Sequence, residues 1–388
     1  MAPFRCIKCK GSHRNMGMTQ GIEFKDSIKH IISVFPKFEE YHDTAGKYGI
    51  NAKKLISFLG KIVSIYISLK KSKSRTINEW LERVDGIGEG ANINSSLIRG
   101  IQALESVLSL PAGVTGCTTI AIAPTRSSTR EPIMMKNYDL AKNFRYTTIL
   151  RISCPSNRLK SFEMALNLMP GSHIAMNESG LCISYNYGMV RFYPQDGIFP
   201  SYLVQYAIEN FQKCKEATEW ILEQKSTHGC IITVMDADGN ICVIEKAGFD
   251  TSVRYPHLGI TAATNHFLTP EMKKFNYNIK DKFSSNAPRG VRGISIQETN
   301  VRRLERANLL LSLKEKFSLE DILKITKDHE GKENGDSNTI CRHHPYMDTL
   351  ASVILLPLTK KVLICKQNPC KSSFVEINPF NNISFTKI

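Results

Sequence analysis

Apolar residues recur every three to four positions through the first third of the chain, at Ile28, Ile31, Ile32 and Phe35 and again at Leu97, Ile101, Leu104 and Val107. The spacing predicts a mostly helical section over 21–110. Beyond Cys117 the pattern changes to short β-prone runs with turn residues between them, at 118–123, 133–138, 147–153 and 181–187. Two further runs, 231–234 and 241–244, flank Asp238-Gly239, whose turn chemistry predicts a hairpin. Helices are predicted at 201–224, 301–316 and 319–327, the last opened by Ser318 as N-cap with Asp321 three residues on. Strands at 350–356 and 361–365 close the pattern, and 327–338, rich in charge, Gly and Asn, reads as a surface loop. Strands grouped with helices between them predict an α+β fold with layered, largely antiparallel sheets.

Composition narrows the class. At 388 residues and 42% hydrophobic content the chain is long enough for a substantial core. Residues 1–17 are basic and polar and lack the apolar core of a secretory signal, and the longest apolar stretch, 55–69, is broken by Gly60 and Lys61. Neither export by that route nor a membrane span is expected. Eleven cysteines without regular spacing then read as reduced thiols in a cytoplasmic protein. Cys6 and Cys9 have metal-ligand spacing with His13 nearby, but no second pair completes a tetrahedral set, so no metal site is expected. The net charge of +15 includes a run at Lys70, Lys71, Lys73 and Arg75, without the aromatic interleaving of a nucleic-acid module; it reads as a solvated face, and no nucleic-acid partner is expected. Gly86-Ile-Gly-Glu-Gly90 lacks phosphate-loop spacing and reads as a helix junction.

The candidate chemistry centres on Gly116-Cys117-Thr-Thr119, a thiol at the start of a β-prone run behind a glycine. Glycine tolerates φ > 0 and close approach, which would let the Gly116 carbonyl turn toward the Cys117 thiol. Attack there cuts the chain and gives Cys117 an α-amine with a reference pKa of about 7.7 to 8.0, able to serve as base for its own thiol. Asp139 ends the next predicted strand and comes beside Cys117 if the two strands pair; its other reading is a turn or cap residue.

Five ordered segments carry a resemblance: Asp85-Gly-Ile-Gly-Glu-Gly-Ala91, Gly116-Cys-Thr-Thr119, Lys136-Asn-Tyr-Asp139, Asn177-Glu-Ser-Gly-Leu181 through Asn186, and Thr264-Asn-His-Phe267, followed by Arg302-Arg-Leu-Glu-Arg306. Together they resemble the N-terminal-nucleophile (Ntn) hydrolase superfamily, most closely the autoproteolytic acyl-coenzyme A:isopenicillin N acyltransferase family, over about 20–370. The resemblance implies a four-layered αββα sandwich and a cut between Gly116 and Cys117. Beyond a basic leader 1–20, which has no counterpart in the resemblance and is free to be flexible, the cut divides the chain into a helical section 21–116 (the α chain) and a catalytic section 117–388 (the β chain). It makes Cys117 the nucleophile, Asp139 the partner of the new amine, Asn265 an oxyanion donor through its side-chain amide, Asn186 a group that binds the scissile unit and Arg303 an active-site cation. Arg302 is a neighbouring alternative to Arg303, while Arg306 and His266 are assigned to the surface and to packing. Lys136 stands where bile-salt-hydrolase relatives have arginine, and Thr115 where the penicillin-pathway enzyme has Asp.

The expected function is an autoproteolytically activated amidase or acyltransferase, a zymogen whose Cys117 forms an acyl-thioester with a small acyl amide or acyl thioester. The α and β fragments are expected to stay associated. No cofactor is expected, with acyl-coenzyme A a candidate co-substrate only. Two alternatives stand beside it: an N-acyl amide or lipid amide hydrolase using water alone, and an uncut, non-catalytic binding protein for an anionic partner.

Overall fold

A computed structural model describes residues 6–34, 54, 58, 60–62, 74–107, 115–192, 196–285, 287, 289–381 and 385–387. Fifteen strands occur among them: β1 (Cys6–Gly11), β2 (Thr115–Ile122), β3 (Ile133–Ala141), β4 (Thr148–Pro155), β5 (Ser161–Leu166), β6 (Ile174–Asn177), β7 (Cys182–Tyr187), β8 (Cys230–Met235), β9 (Ile241–Ala247), β10 (Asp250–Arg254), β11 (Ile260–Ala263), β12 (Met347–Leu356), β13 (Lys361–Lys366), β14 (Val375–Ile377) and β15 (Phe385–Lys387). The α-helices whose bounds lie among the described residues are α1 (His13–Glu23), α2 (Lys25–Val34), α3 (Arg75–Ala91), α4 (Ser95–Val107), α5 (Pro200–Asn210), α6 (Cys214–Glu223), α7 (Glu298–Ser312) and α8 (Leu319–Thr326).

The strands form two sheets, ordered β1-β4-β5-β6-β7-β8-β9-β10 and β11-β2-β3-β12-β13-β14-β15. Among the described strands only the β1–β4 pair is parallel. The sheets face one another where β2 packs on β7 and β8; α5 and α6 lie against β6 to β9, and α7 and α8 against β11, β2 and β3. Strand β8, buried on both faces, reads as a near-continuous apolar run, while the equally buried β7 and β12 carry polar residues among their apolar ones. The result is the expected four-layered αββα sandwich, with β2, the strand that carries Cys117, in the inner sheet layer that faces β7 and β8.

The N-terminal segment departs from the flexible leader predicted for 1–20. Its residues 6–11 form an edge strand beside β4, because Ile7 and Cys9 alternate inward while Lys8 and Lys10 face out. Cys6 and Cys9, three apart on a strand, point to opposite faces and so do not form a chelating pair. Helix α1 then crosses α3 so closely that a Cβ at Gly86 would collide with the Arg14 carbonyl, and one at Gly17 with the Arg83 carbonyl. The glycines of Gly86-Ile-Gly-Glu-Gly90 thus lie inside a helix, as a contact surface for another helix, rather than at a junction. Phe35, all of the apolar stretch 55–69 except 58 and 60–62, Lys70, Lys71 and Lys73, and the side chains of Leu104 and Val107 lie outside the described residues.

Two other departures have local causes. The single helix predicted over 201–224 breaks at 211–213, where Asp236 of the β8–β9 turn reaches across to accept the Cys214 N–H at 3.0 Å and starts α6. Strand β5 is not predicted because Ser161 and Glu163 interrupt its apolar pattern; Glu163 is fully buried against Arg151, and although burial raises its pKa, Arg151, Arg83 and the hydrogen bonds from Gln205 and Ser161 together bring it below its usual value.

A buried ion pair ties the helical section before β2 to the section that follows it: Arg83 Nη1 on α3 donates to Glu209 Oε1 on α5 at 2.8 Å, both fully buried. Arg83→Met leaves Glu209 a buried charge and is expected to cost about 3–5 kcal/mol, read as a lower urea midpoint. Unfolding indistinguishable from wild type would show that this pair does not hold the two sections together.

Candidate active site

Cys117 lies on β2 opposite Tyr138, Gly116 opposite Asp139, and Thr119 opposite Lys136 on β3. Strand β11 flanks β2 on its other side but ends at Ala263, paired with Thr119. The Cys117 N–H therefore has no ladder partner there, and Asn265, two residues past the end of β11, supplies one: its Oδ1 accepts the Cys117 N–H at 3.0 Å. The Asn265 Nδ2 donates to the Tyr187 carbonyl at 2.8 Å, which fixes the orientation of the amide.

Arg303, on the first turns of α7, is fully buried and gathers these groups. Its Nη1 donates to the Cys117 carbonyl at 2.6 Å and to Thr118 Oγ1 at 2.9 Å; its Nη2 donates to Asn265 Oδ1 at 2.9 Å and Asn300 Oδ1 at 3.0 Å. Asp139 Oδ2 lies 3.6 Å from Arg303 Nη1 and 3.6 Å from Arg342 Nη1, while its Oδ1 accepts the Thr349 hydroxyl at 2.7 Å. The Oδ2 atom is buried without a hydrogen-bond donor, facing Gly116. Gly116 is not in the left-handed region that the sequence reading allowed for; it lies in the extended strand β2. Glycine is needed there for space, since a Cβ would collide with Arg342 Nη1 and stand 3.1 Å from Asp139 Oδ2.

The fully buried Lys136 stands near enough to Cys117 for its charge to act on the thiol. Its Nζ donates to the Tyr185 carbonyl at 2.6 Å and Asn186 Oδ1 at 2.7 Å. Burial pushes the Cys117 thiol up, Lys136 and Arg303 pull it back, and Asp139 opposes them. Burial lowers Lys136 as well. Burial and then the nearby Arg342 bring Arg303 down to about 10, so its charge persists at neutral pH. His266 is lowered to about 4, chiefly by burial, and pairs with Thr264 Oγ1 at 3.1 Å. It is thus neutral near pH 7.

The sequence model described as acyl-coenzyme A:6-aminopenicillanic acid acyl-transferase matches residues 125–371, well over half of the chain. The chain belongs to this family. Among curated proteins no sequence matches. Solved structures with partly similar backbones include a Caenorhabditis elegans N-acylethanolamine-hydrolyzing acid amidase ortholog, at 12% identity over 62% of this chain and 93% of that one with a TM-score of 0.41. A variant of conjugated bile acid hydrolase from Clostridium perfringens gives 13%, 70%, 97% and 0.44 for the same quantities, and penicillin V acylase from Agrobacterium tumefaciens 9%, 71%, 90% and 0.35.

In this acyltransferase-family chain the fold brings Cys117, Asp139, Asn265 and Arg303 together from β2, β3, the segment after β11 and α7. Asn186 is placed differently from its expected contact with a scissile group: its Nδ2 donates to the Ala263 and Thr264 carbonyls at 3.0 Å each, and its Oδ1 accepts from Lys136 and from Thr119 Oγ1 at 2.7 Å. With its amide fully engaged by the protein, Asn186 anchors Lys136 and the end of β11. Arg302 points outward to Glu305, and Arg306 pairs with Asp328. Sequence reasoning missed Arg342, Thr349 and Asn300, which belong to no local motif. Arg342 follows the loop 327–338 and Thr349 sits at an irregularity in the β12–β3 pairing, so only the folded register brings them to Asp139.

Proposed function

We infer that the chain is a precursor that cuts itself between Gly116 and Cys117 and then acts as a cysteine Ntn acyltransferase or amidohydrolase. The observation carrying this reading is the convergence of Asn265, Arg303 and Asp139 on the Gly116–Cys117 peptide unit, a peptide nitrogen in a strand held by a side-chain acceptor beside a buried carboxylate without a donor. Attack of the thiol on the Gly116 carbonyl forms a C–S bond and breaks the C–N bond, passing the thiol proton to the new amine. Water then splits the thioester, releasing the Gly116 carboxyl and restoring the thiol.

The freed amine stays beside Asn265 Oδ1 and gains Asp139 as counter-ion. In turnover it takes the thiol proton, the sulfur attacks an acyl carbon, and the leaving amine receives the proton as the acyl-thioester forms. Asn265 keeps one N–H beyond the bond to Tyr187, and this is the donor proposed for the oxyanion. A cavity of about 110 Å³ bordered by Asn300 and Arg342, with Met189, Phe283, Ile296 and Met347 as apolar wall, adjoins the site. Departure of Gly116 would leave the space beside Asp139 and Arg342 for the acyl group. Acyl-coenzyme A stays a candidate donor, with the α and β sections remaining packed through pairs such as Arg83 with Glu209.

With a chromogenic N-acyl amide as substrate, the expected result is an acyl adduct on the Cys117 fragment, seen by rapid quench and mass spectrometry. An added amine that diverts product from free acid to new amide identifies a transferase; product remaining free acid identifies a hydrolase using water. Salt-dependent binding of an anionic partner by an uncut chain, with no acyl adduct from amide or thioester substrates, would favour the binding-protein alternative instead.

A further inference from the structure

We propose that His329, Cys341, His343 and Cys370 form a structural zinc site that braces the active-site arginine Arg342. The four come from separate places: His329 from the segment after α8, Cys341 and His343 from the approach to β12, and Cys370 from the turn after β13. Their ligand atoms nonetheless lie within 4.8 Å of one another. The Cys341 Sγ to His343 Nε2 separation is 3.5 Å and His343 Nε2 to Cys370 Sγ is 3.3 Å. Zinc bonds of about 2.3 Å to sulfur and 2.0–2.1 Å to nitrogen give tetrahedral edges of roughly 3.3–3.8 Å, so these atoms already stand at ligand spacing.

Two further observations point to a cation. The His329 Nε2 is buried without a hydrogen-bond partner, and its ring meets that of His343 edge to face at 5.0 Å. Gly335 leaves room for both rings: a Cβ there would stand 2.7 Å from His329 Cδ2 and 2.8 Å from His343 Cδ2. A disulfide between Cys341 and Cys370 would use the sulfurs but leave the imidazole nitrogen unsatisfied, whereas a Cys₂His₂ set engages all four groups. Two thiolates with two imidazoles suit zinc, and four protein ligands leave no open position for substrate or water, the hallmark of a structural site.

The site's place explains its use. Cys341 and His343 flank Arg342, whose guanidinium faces Asp139 and Gly116. A metal gripping both neighbours and Cys370 fixes the arginine's backbone on a stretch that otherwise reads as loop.

Elemental analysis of the full-length chain, expressed with zinc and purified under reducing conditions, tests the proposal. One zinc per chain is expected, falling at least tenfold in the His329→Ala/Cys370→Ser double variant. Independently of any variant, the chelated wild type titrated with Co²⁺ is expected to show the d–d absorption of tetrahedral cobalt and a thiolate-to-cobalt charge-transfer band at one equivalent. Metal-free wild type that gives no such band with Co²⁺, full zinc content in a folded double variant, or a Cys341–Cys370 disulfide in non-reducing peptide maps would each overturn it.

Discussion

Cys117→Ala is expected to remain one uncut chain and to lose acyl transfer or hydrolysis by at least about 10⁴-fold. Removing a covalent nucleophile alone has an effect of this order or larger. Here the same substitution also keeps the peptide bond that hides the base, since the α-amine exists only after the cut. Gly116 then stays wedged between Asp139 and Arg342, and the space proposed for the acyl group is never vacated. Steady-state turnover of the purified variant, with a melting curve to confirm folding, is the measurement. Substantial turnover by a folded Cys117→Ala chain would move the nucleophile elsewhere.

Asp139→Asn is expected to slow both processing and turnover by about 100-fold or more, the range of a lost proton-handling group, and to weaken folding by about 3–5 kcal/mol. The stability effect follows from geometry: Asp139 is the carboxylate between Arg303 and Arg342, and its neutral isostere leaves two buried guanidinium groups facing each other uncompensated. The kinetic effect separates two roles. Asp139 raises the Cys117 thiol, so if thiol tuning were its whole contribution, the variant would have more thiolate and react faster. An anchor for the α-ammonium predicts the opposite, because the amine loses its counter-ion and its aim. Single-turnover acylation across pH, alongside urea unfolding, distinguishes them; acylation faster than wild type would remove Asp139 from the amine's side of the mechanism.

Much of the sandwich was legible because its local signals agree with its tertiary ones. The Asp238-Gly239 turn joins β8 to β9 as predicted, with Gly239 at φ 85°, and Ser318 with Asp321 forms the reciprocal cap of α8. Cys117, Asp139, Asn265 and Arg303 were legible for another reason: each sits in a short polar motif at the edge of an element, Cys117 near the start of a strand, Asp139 near the end of one, Asn265 just past the end of one, and Arg303 on the first turns of a helix. What stayed hidden depends on partners distant in the chain. Strand β5 carries Glu163, which is tolerable in a core only beside Arg151, and β1 is too short to announce itself without β4. Arg342 gains its meaning from the pairing of β12 with β3. The cluster of His329, Cys341, His343 and Cys370 is likewise invisible to spacing rules, as its four residues follow no repeated interval and meet only when the loop 327–338 folds against the turn after β13.

The most direct test is the intact mass of the purified wild-type protein, run denatured and reduced. Two polypeptides are predicted, one ending at Gly116 and the other beginning at Cys117, their masses together equal to the 43.7 kDa chain plus one water. A single 43.7 kDa polypeptide that turns over substrate with its Gly116–Cys117 bond intact would contradict the account.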